Sequence, residues 1–121
     1  MRIIRKDSIK EPVIDSKGEE IYELIGSAEK SGGSVKHSLA YEVMPGCSSK
    51  LHYHSQDEEG FFILKGSANL FIDGKEHPVK AGDAIFIQPQ GRHQIFTTGG
   101  TGLEFIVVCA PAWQSSYSVF L

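Results

Sequence analysis

Short runs rich in β-branched, aromatic and other apolar residues recur along the chain, and glycine- or proline-rich turns separate them. Runs of this length and composition, bounded by turn residues, are typical of β-strands. Many short strands with little helix predict an all-β fold, either a sandwich or a barrel. The runs predict strands at residues 21–26, 34–44, 50–54, 61–66, 68–73, 84–87, 93–97, 103–109 and 117–121.

The turns between the runs lead to separate predictions. Asp73-Gly74 lies between two strand-like runs and predicts a tight β-hairpin. The charged segment 73–83 predicts a turn region with His77 on its surface, and we expect His37 to be a surface residue as well. Residues 27–32 have helical composition, but the segment is short and flanked by glycine, so it predicts a loop.

Three of the predicted strands are apolar at every position, namely residues 61–64, 84–87 and 105–108. A strand of an isolated water-soluble barrel alternates between core and solvent, so the outer faces of these strands need a cover. A second copy of the chain is the favoured cover, which predicts a homodimer. The alternative is that the N-terminal segment folds over them. An N-terminal strand and residues 117–121 could exchange between the two subunits.

Composition and charge exclude several classes of partner. The net charge of −3 and the isoelectric point near 5.9 argue against a nucleic-acid partner. No apolar run reaches the length of a membrane span, and the N-terminus lacks the apolar core of a secretory signal. We therefore expect a cytoplasmic protein without a membrane partner. Cys47 and Cys109 lie far apart without CxxC spacing, so reduced thiols are expected rather than a disulfide.

One motif carries the candidate chemistry. Residues 46–66, GCSSKLHYHSQDEEGFFILKG, have the spacing G(x)5HxH(x)4E(x)6G. Because alternate side chains of a strand share a face, His52 and His54 project their imidazoles to the same side. A short polar turn then reverses the chain and brings Glu59 back beside them. Glu58 is one residue off that alternation and is expected to face solvent.

A fourth candidate ligand is His93, eleven residues after Gly82 in the block GDAIFIQPQGRHQIF. Three imidazoles and one carboxylate form a mixed nitrogen and oxygen set, which suits a transition metal and leaves positions for water or substrate. We therefore predict one divalent transition-metal ion per chain. These ligand types do not separate Mn, Fe, Co, Ni and Zn.

The two glycine-bounded blocks resemble the two motifs of the cupin superfamily, and the similarity runs over roughly residues 38–110. The short spacing between the blocks, residues 67–81, looks like that of compact single-domain members. The resemblance implies a jelly-roll, or double-stranded β-helix, barrel over residues 36–121. Residues 1–35 then form an N-terminal arm with one or two short strands. The metal ligands implied by the resemblance are His52, His54, Glu59 and His93.

The second motif departs from the family pattern at three positions. Gln88 stands where the family usually has proline, Gln90 where it usually has glycine, and Thr97 where asparagine is frequent. The proline and the glycine appear one place late. We therefore expect the turn before His93 to differ in shape.

A ligand pocket is expected inside the barrel, around the metal. By strand parity or proximity in sequence, its candidate lining residues are Tyr41, Phe61, Gln88 and Ile95. Trp113 could close one barrel mouth or pack at a dimer edge, and Cys47 is expected near the site mouth.

Three functions are compatible with these features. The favoured one is a metal-dependent enzyme that acts on a small polar organic molecule, because the resembling proteins include dioxygenases, decarboxylases or other lyases, isomerases and cyclases. The alternatives are a binding or sensing module in which the metal anchors a ligand, and a purely structural metal site. We favour the enzyme because structural sites usually close a tetrahedron of four ligands. The sequence identifies no acid or base beside the metal.

Overall fold

The computed structural model describes residues 1–15, 17–46 and 48–121, which form two antiparallel β-sheets around one core. The strands are β1 (Val13–Ile14), β2 (Glu20–Ile25), β3 (Ser38–Met44), β4 (His52–His54), β5 (Glu58–Lys65), β6 (Ser67–Ile72), β7 (Lys75–Lys80), β8 (Ala84–Ile87), β9 (His93–Thr98), β10 (Leu103–Ala110) and β11 (Ser118–Phe120). Short 3-10 helices cover Lys6–Ser8, Glu29–Ser31 and Ser115–Tyr117.

The strand order explains how distant parts of the sequence meet. One sheet has the order β1-β2-β3-β10-β5-β8, and the other has the order β11-β4-β9-β6-β7. Sequence neighbours such as β4 and β5 therefore lie in opposite sheets, as in a jelly-roll barrel. The predicted all-β jelly-roll fold is confirmed.

The core lies between the two sheets. Along β10 the burial alternates, so that every second side chain, starting with Leu103, is buried and the others are not. The register places Val107 opposite Phe61 and Cys109 opposite Glu59, which turns these side chains of β5 inward. The buried apolar residues are Met44, Phe61, Ile63, Ala68, Leu70, Ile87, Ile95, Leu103, Phe105, Val107, Cys109 and Ala112.

The hairpin prediction is confirmed, but the prediction for the segment after it is wrong. Asp73 and Gly74 have φ values of 50° and 82° and connect β6 to β7, with Ile72 paired to Lys75. A hairpin turn with two positive φ values favours an Asp-Gly pair. The charged residues that follow form the edge strand β7, which has almost no buried side chains and therefore no apolar alternation. An edge strand also tolerates Pro78.

The outward side chains of β5, β8 and β10 form an exposed patch, which we call the outer apolar face. The N-terminal segment does not cover it, since β2 pairs with β3 on the far side of β10. N-terminal cover is therefore wrong for this part of the surface. The outer apolar face consists of Phe62, Leu64, Phe86 and Val108, which are 45%, 41%, 65% and 40% exposed.

Candidate metal centre

Three strands bring the predicted metal ligands together inside the barrel. His52 and His54 begin and end β4, and His93 begins β9, where it pairs with His52 across the ladder. Glu59 reaches the same place from the opposite sheet, because its register partner Cys109 also faces inward. Glu58 is exposed, as its strand parity predicts.

The donor atoms of the four side chains converge on one point. One nitrogen or oxygen from each of His52, His54, Glu59 and His93 lies within 4.8 Å of the corresponding atoms of the others. Glu59 Oε1 is 3.0 Å from His93 Nε2 and 3.3 Å from His54 Nε2. Even so, Glu59 Oε1 and His93 Nε2 are buried without a hydrogen-bond partner among the residues that the structure describes. Buried polar atoms of this kind normally have one.

The outer nitrogens of the imidazoles explain why the inner nitrogens face each other. His52 Nδ1 lies 2.7 Å from the Lys50 carbonyl oxygen, and His93 Nδ1 lies 2.8 Å from that of Gly91. A carbonyl oxygen only accepts, so both Nδ1 atoms carry the proton and donate it. This leaves both Nε2 atoms with free lone pairs, which is the form that binds a metal.

In the turn before His93, Gln90 stands at the position where the resembling family usually has glycine. Gln90 has a φ of 69°, in the left-handed region that glycine adopts at lower cost, and its N–H donates to the His54 carbonyl at 2.7 Å. Gly91 is packed so closely that an added Cβ would lie 3.1 Å from the Gln88 carbonyl oxygen. This turn delivers His93 to the centre.

Their surroundings shift the pKa values of His52 and His93 in opposite directions. Burial, together with the neighbouring His93, lowers the pKa of His52 to about 4, so His52 is neutral at neutral pH. Burial alone would also lower the pKa of His93, but the adjacent Glu59 carboxylate and the Gly91 carbonyl outweigh this and raise it. Without a cation, a proton therefore favours His93 over His52.

The geometry fits a single metal ion. Two ligand atoms that each lie about 2.1 Å from one ion, at a right angle, are about 3 Å apart. The 3.0 Å and 3.3 Å separations from Glu59 Oε1 to two imidazole nitrogens have this size. An ion would also supply partners for the buried atoms that lack them. His52, His54, Glu59 and His93 are thus the residues that could hold a divalent transition metal.

Three of the predicted pocket residues lie in or against the core. Phe61 and Ile95 are buried, and the Phe61 ring centroid is 6.2 Å from that of His93. Trp113 is half-buried and packs against the core cluster, while its indole N–H donates to the Ser118 hydroxyl at 2.9 Å.

The structure does not bring Tyr41 and Gln88 into the barrel. Tyr41 lies on the outer side of β3, where its hydroxyl donates to Glu104 and Lys6 lies over its ring. That hydrogen bond raises the pKa of Tyr41 to about 12. Gln88 is exposed just after β8. Tyr41 is displaced because the inward positions of β3 are the even-numbered ones, opposite the buried residues of β10.

Glu42, next to Tyr41, is a residue that the sequence reasoning missed. It pairs with the buried Phe105 and therefore shares the inward face of β3. Its carboxyl group is hydrogen-bonded to Glu19, which is 7% exposed. Burial and the negative charge of Glu19 raise the pKa of Glu42 well above its usual value, and Glu59 adds to the effect. Strand parity places Glu42 and Tyr41 on opposite faces of β3, and the pairing of β3 with β10 shows that Glu42 faces the core.

The raised pKa of Glu42 predicts how stability depends on pH. Above the unfolded-state value of 4.5 the unfolded chain releases a proton that the folded chain keeps, so stability should fall as pH rises through the folded-state pKa. Glu42→Gln should remove that loss and raise the free energy of unfolding at about pH 8 relative to wild type, but not below pH 4.5. Urea unfolding at the two pH values measures this. Glu76→Gln, on the exposed strand β7, is the control; an equal gain in both variants would contradict the prediction.

Asp57 is a second residue that the sequence did not single out. It follows β4 and is 1% exposed, with Oδ2 2.6 Å from His54 Nδ1. The residues around Asp57 are polar and typical of a surface turn, so the local sequence does not indicate that Asp57 is buried. The Cys109 thiol is buried beside it, and burial raises the pKa of Cys109. Cys47 lies outside the described residues.

Fold and site together define the class of this protein. The Cupin domain family matches residues 39–109, more than half of the chain. The chain belongs to this family, and the predicted relationship is confirmed. Within the part of the chain that the structure describes, no helix is long and apolar enough to cross a bilayer.

Two related sequences and one solved structure show what this chain is similar to. The chain is 35% identical over 117 residues to an uncharacterized protein of Methanocaldococcus jannaschii, covering 94% of this chain and 91% of the relative. It is 35% identical over 92 residues to an oxalate-binding protein of Thermotoga maritima, covering 76% of each. Its structure is similar to that of a predicted oxalate decarboxylase from Thermotoga maritima, with a TM-score of 0.74, 29% identity and coverage of 91% and 99%.

Proposed function

We propose that this protein is a metal-dependent enzyme acting on a small carboxylate, with oxalate as the first candidate substrate. One observation carries the proposal. Four side chains that could bind a metal converge inside the barrel, and two of their buried donor atoms, Glu59 Oε1 and His93 Nε2, have no hydrogen-bond partner in the described part of the chain. The similarity to an oxalate-binding protein and to a predicted oxalate decarboxylase supports the substrate class.

His52, His54, Glu59 and His93 would hold the ion. A bound divalent cation supplies Lewis-acid polarisation of a carboxylate oxygen. The chain itself would orient the substrate and keep water out, because Phe61 and Ile95 are buried on the inner faces of the two sheets. These apolar walls also strengthen electrostatic contacts within the site.

The Glu19 and Glu42 pair supports an enzyme over a purely structural metal site. Loss of carbon dioxide from the oxalate dianion leaves a carbon that must take up one proton to become formate, so the site needs a proton donor. Glu42, which faces the interior, is positioned to hold that proton through its hydrogen bond to Glu19. Both carboxyl groups lie near enough to Glu59 for its charge to raise their pKa.

A second candidate function is binding without turnover. The observation that favours it is the 35% identity to a protein that is named for binding oxalate. In that case the metal would anchor the ligand, and Glu42 would donate a hydrogen bond to it without transferring the proton.

Metal analysis followed by assays with oxalate tests the proposal. Protein from cells supplied with Mn, Fe, Ni and Zn should contain about one transition-metal ion per chain, and a chain without any metal would contradict the proposal. Incubation with oxalate should release formate and carbon dioxide in equal amounts. Calorimetric binding without products would instead support the binding module, and oxygen consumption would indicate a dioxygenase.

We also propose that the outer apolar face is buried in a homodimer. Its four side chains belong to neighbouring strands, since β8 pairs with β5 and β5 pairs with β10. An apolar patch of this kind marks an interaction site, and the commonest closed assembly is a twofold dimer. Exchange of the arm formed by residues 1–35 between subunits of the barrel, residues 36–121, stays a prediction.

The dimer leads to a specific prediction about Phe86, which is 65% exposed. Size-exclusion chromatography with light scattering should give twice the chain mass for the wild type. Phe86→Glu should shift the protein to the monomer, because the carboxylate would be buried at the interface without a partner. Phe96→Glu, on the outer side of the other sheet, should leave the dimer intact. A monomeric wild type would contradict the proposal.

A further inference from the structure

Asp57 is a buried carboxylate directly behind one histidine of the candidate metal centre. It is 1% exposed, and its Oδ2 lies 2.6 Å from His54 Nδ1. Its other oxygen, Oδ1, is buried and has no hydrogen-bond partner within residues 1–15, 17–46 and 48–121. Burying a carboxylate oxygen away from water costs free energy when the oxygen has no hydrogen-bond partner. A polar turn residue would avoid that cost by facing solvent, as Glu58 does one position later.

The hydrogen bond to Asp57 distinguishes His54 from the other two histidines. His52 and His93 donate to backbone carbonyl oxygens, at 2.7 Å and 2.8 Å. His54 has a carboxylate instead, at the shorter distance of 2.6 Å. Hydrogen bonds to charged acceptors are shorter and stronger than neutral ones, and a carboxylate behind a histidine increases the basicity of its metal-facing nitrogen.

We propose that Asp57 is a positioning residue of the metal centre. It holds His54 in the tautomer that carries the proton on Nδ1, so that Nε2 points toward Glu59 Oε1, 3.3 Å away. It also places a second formal negative charge beside that of Glu59. With three neutral imidazoles, the two carboxylates match the charge of a divalent cation. This inference rests on the proposed function, because it assigns the residue that tunes the same site.

A second metal ion behind His54 is the competing use of this cluster. One atom from each of His54, Asp57 and Cys109 lies within 4.8 Å of the others, and all three residues are buried. Such an ion would need the Nδ1 lone pair of His54. The 2.6 Å contact with Asp57 already engages that nitrogen as a donor. The geometry therefore assigns one ion to the barrel and none to the space behind His54.

Metal titrations of Asp57 variants test the proposal. Competition between the protein and a chromophoric chelator for Zn²⁺ should show binding about 10- to 100-fold weaker in Asp57→Asn and Asp57→Ala, as expected for loss of an outer carboxylate. The matched control is Glu58→Gln, the exposed neighbour, which should bind like the wild type. The visible absorption of the Co²⁺-loaded protein should shift in Asp57→Asn and not in the control. Wild-type affinity and spectra in both Asp57 variants would overturn the proposal, as would two Zn²⁺ ions per wild-type chain.

A measurement without metal separates this inference from the proposed function. Nitrogen-15 NMR of the metal-free wild type should show His54 protonated on Nδ1, and the Nε2-protonated form would overturn the positioning role even if the variants fail to fold. In Asp57→Ala the two tautomers should mix. A wild-type protein that binds no Zn²⁺, Mn²⁺ or Co²⁺ but keeps the Nδ1 tautomer would contradict the proposed function alone. Normal metal binding with an unchanged His54 tautomer in Asp57→Ala would contradict the role of Asp57 alone.

Discussion

Glu59→Gln should weaken metal binding by more than about 100-fold while the barrel stays folded. Loss of an outer partner alone typically costs about 10- to 100-fold in affinity, and Glu59 is the one carboxylate among the four converging residues. Glutamine keeps the shape but removes the charge that faces His54 and His93. The barrel should survive, because its core of apolar side chains does not include the ligands. Elemental analysis and circular dichroism of the purified variant provide the two measurements.

The neighbouring residue provides the control for this prediction. Glu58→Gln changes the same charge one position away on the exposed side of β5, and it should keep the full metal content. A Glu59→Gln protein with wild-type metal content would contradict ligation by Glu59. Unfolding of Glu59→Gln, or of His52→Ala, would show that the metal has a structural role.

Phe105→Ala should reduce the free energy of unfolding by about 3–5 kcal/mol, the usual range when a large aromatic side chain is deleted from a core. Phe105 is 1% exposed and belongs to β10, the strand between β3 and β5. Its ring centroid is 5.3 Å from that of Phe61. The surrounding strands are held by backbone ladders on both sides, so they cannot close the cavity fully. Urea unfolding at a fixed protein concentration measures the change, since a dimer links stability to concentration.

Phe96→Ala is the matched control for the core prediction. Phe96 is 37% exposed on the outer side of β9, so its deletion leaves no closed cavity and should cost less than half as much. Equal losses in the two variants would contradict the placement of the core between the sheets.

The parts of the fold that could be predicted from the sequence are those that depend on neighbouring residues. The apolar run along β10 identified a strand, and Asp73-Gly74 identified a hairpin, because a turn with two positive φ values favours this pair. Strand β7 was missed because it has no such local signal in the sequence. At the edge of a sheet its side chains are exposed, so backbone pairing alone holds it and leaves no apolar signal.

The candidate site also contains residues that local spacing could predict and residues that it could not. The parity of β4 aligned His52 with His54, and the turn residues favoured Glu59 over Glu58, both from local spacing. In β3 the residue expected to face the pocket was Tyr41, but Tyr41 faces outward and Glu42 faces inward. The inward face of a strand depends on its partners in the sheet.

By itself, the sequence determined the family, the strand-rich architecture and the spacing of the four converging side chains, since strand periodicity and turn chemistry act over a few residues. Only the tertiary structure decided that Asp57 lies behind His54 and that Glu42 meets Glu19 inside the barrel. It also decided that the outer faces of β5, β8 and β10 remain exposed. The physical reason is that burial and charge at a given position depend on which distant strands pair and in which register, and the residues within one run do not contain that information.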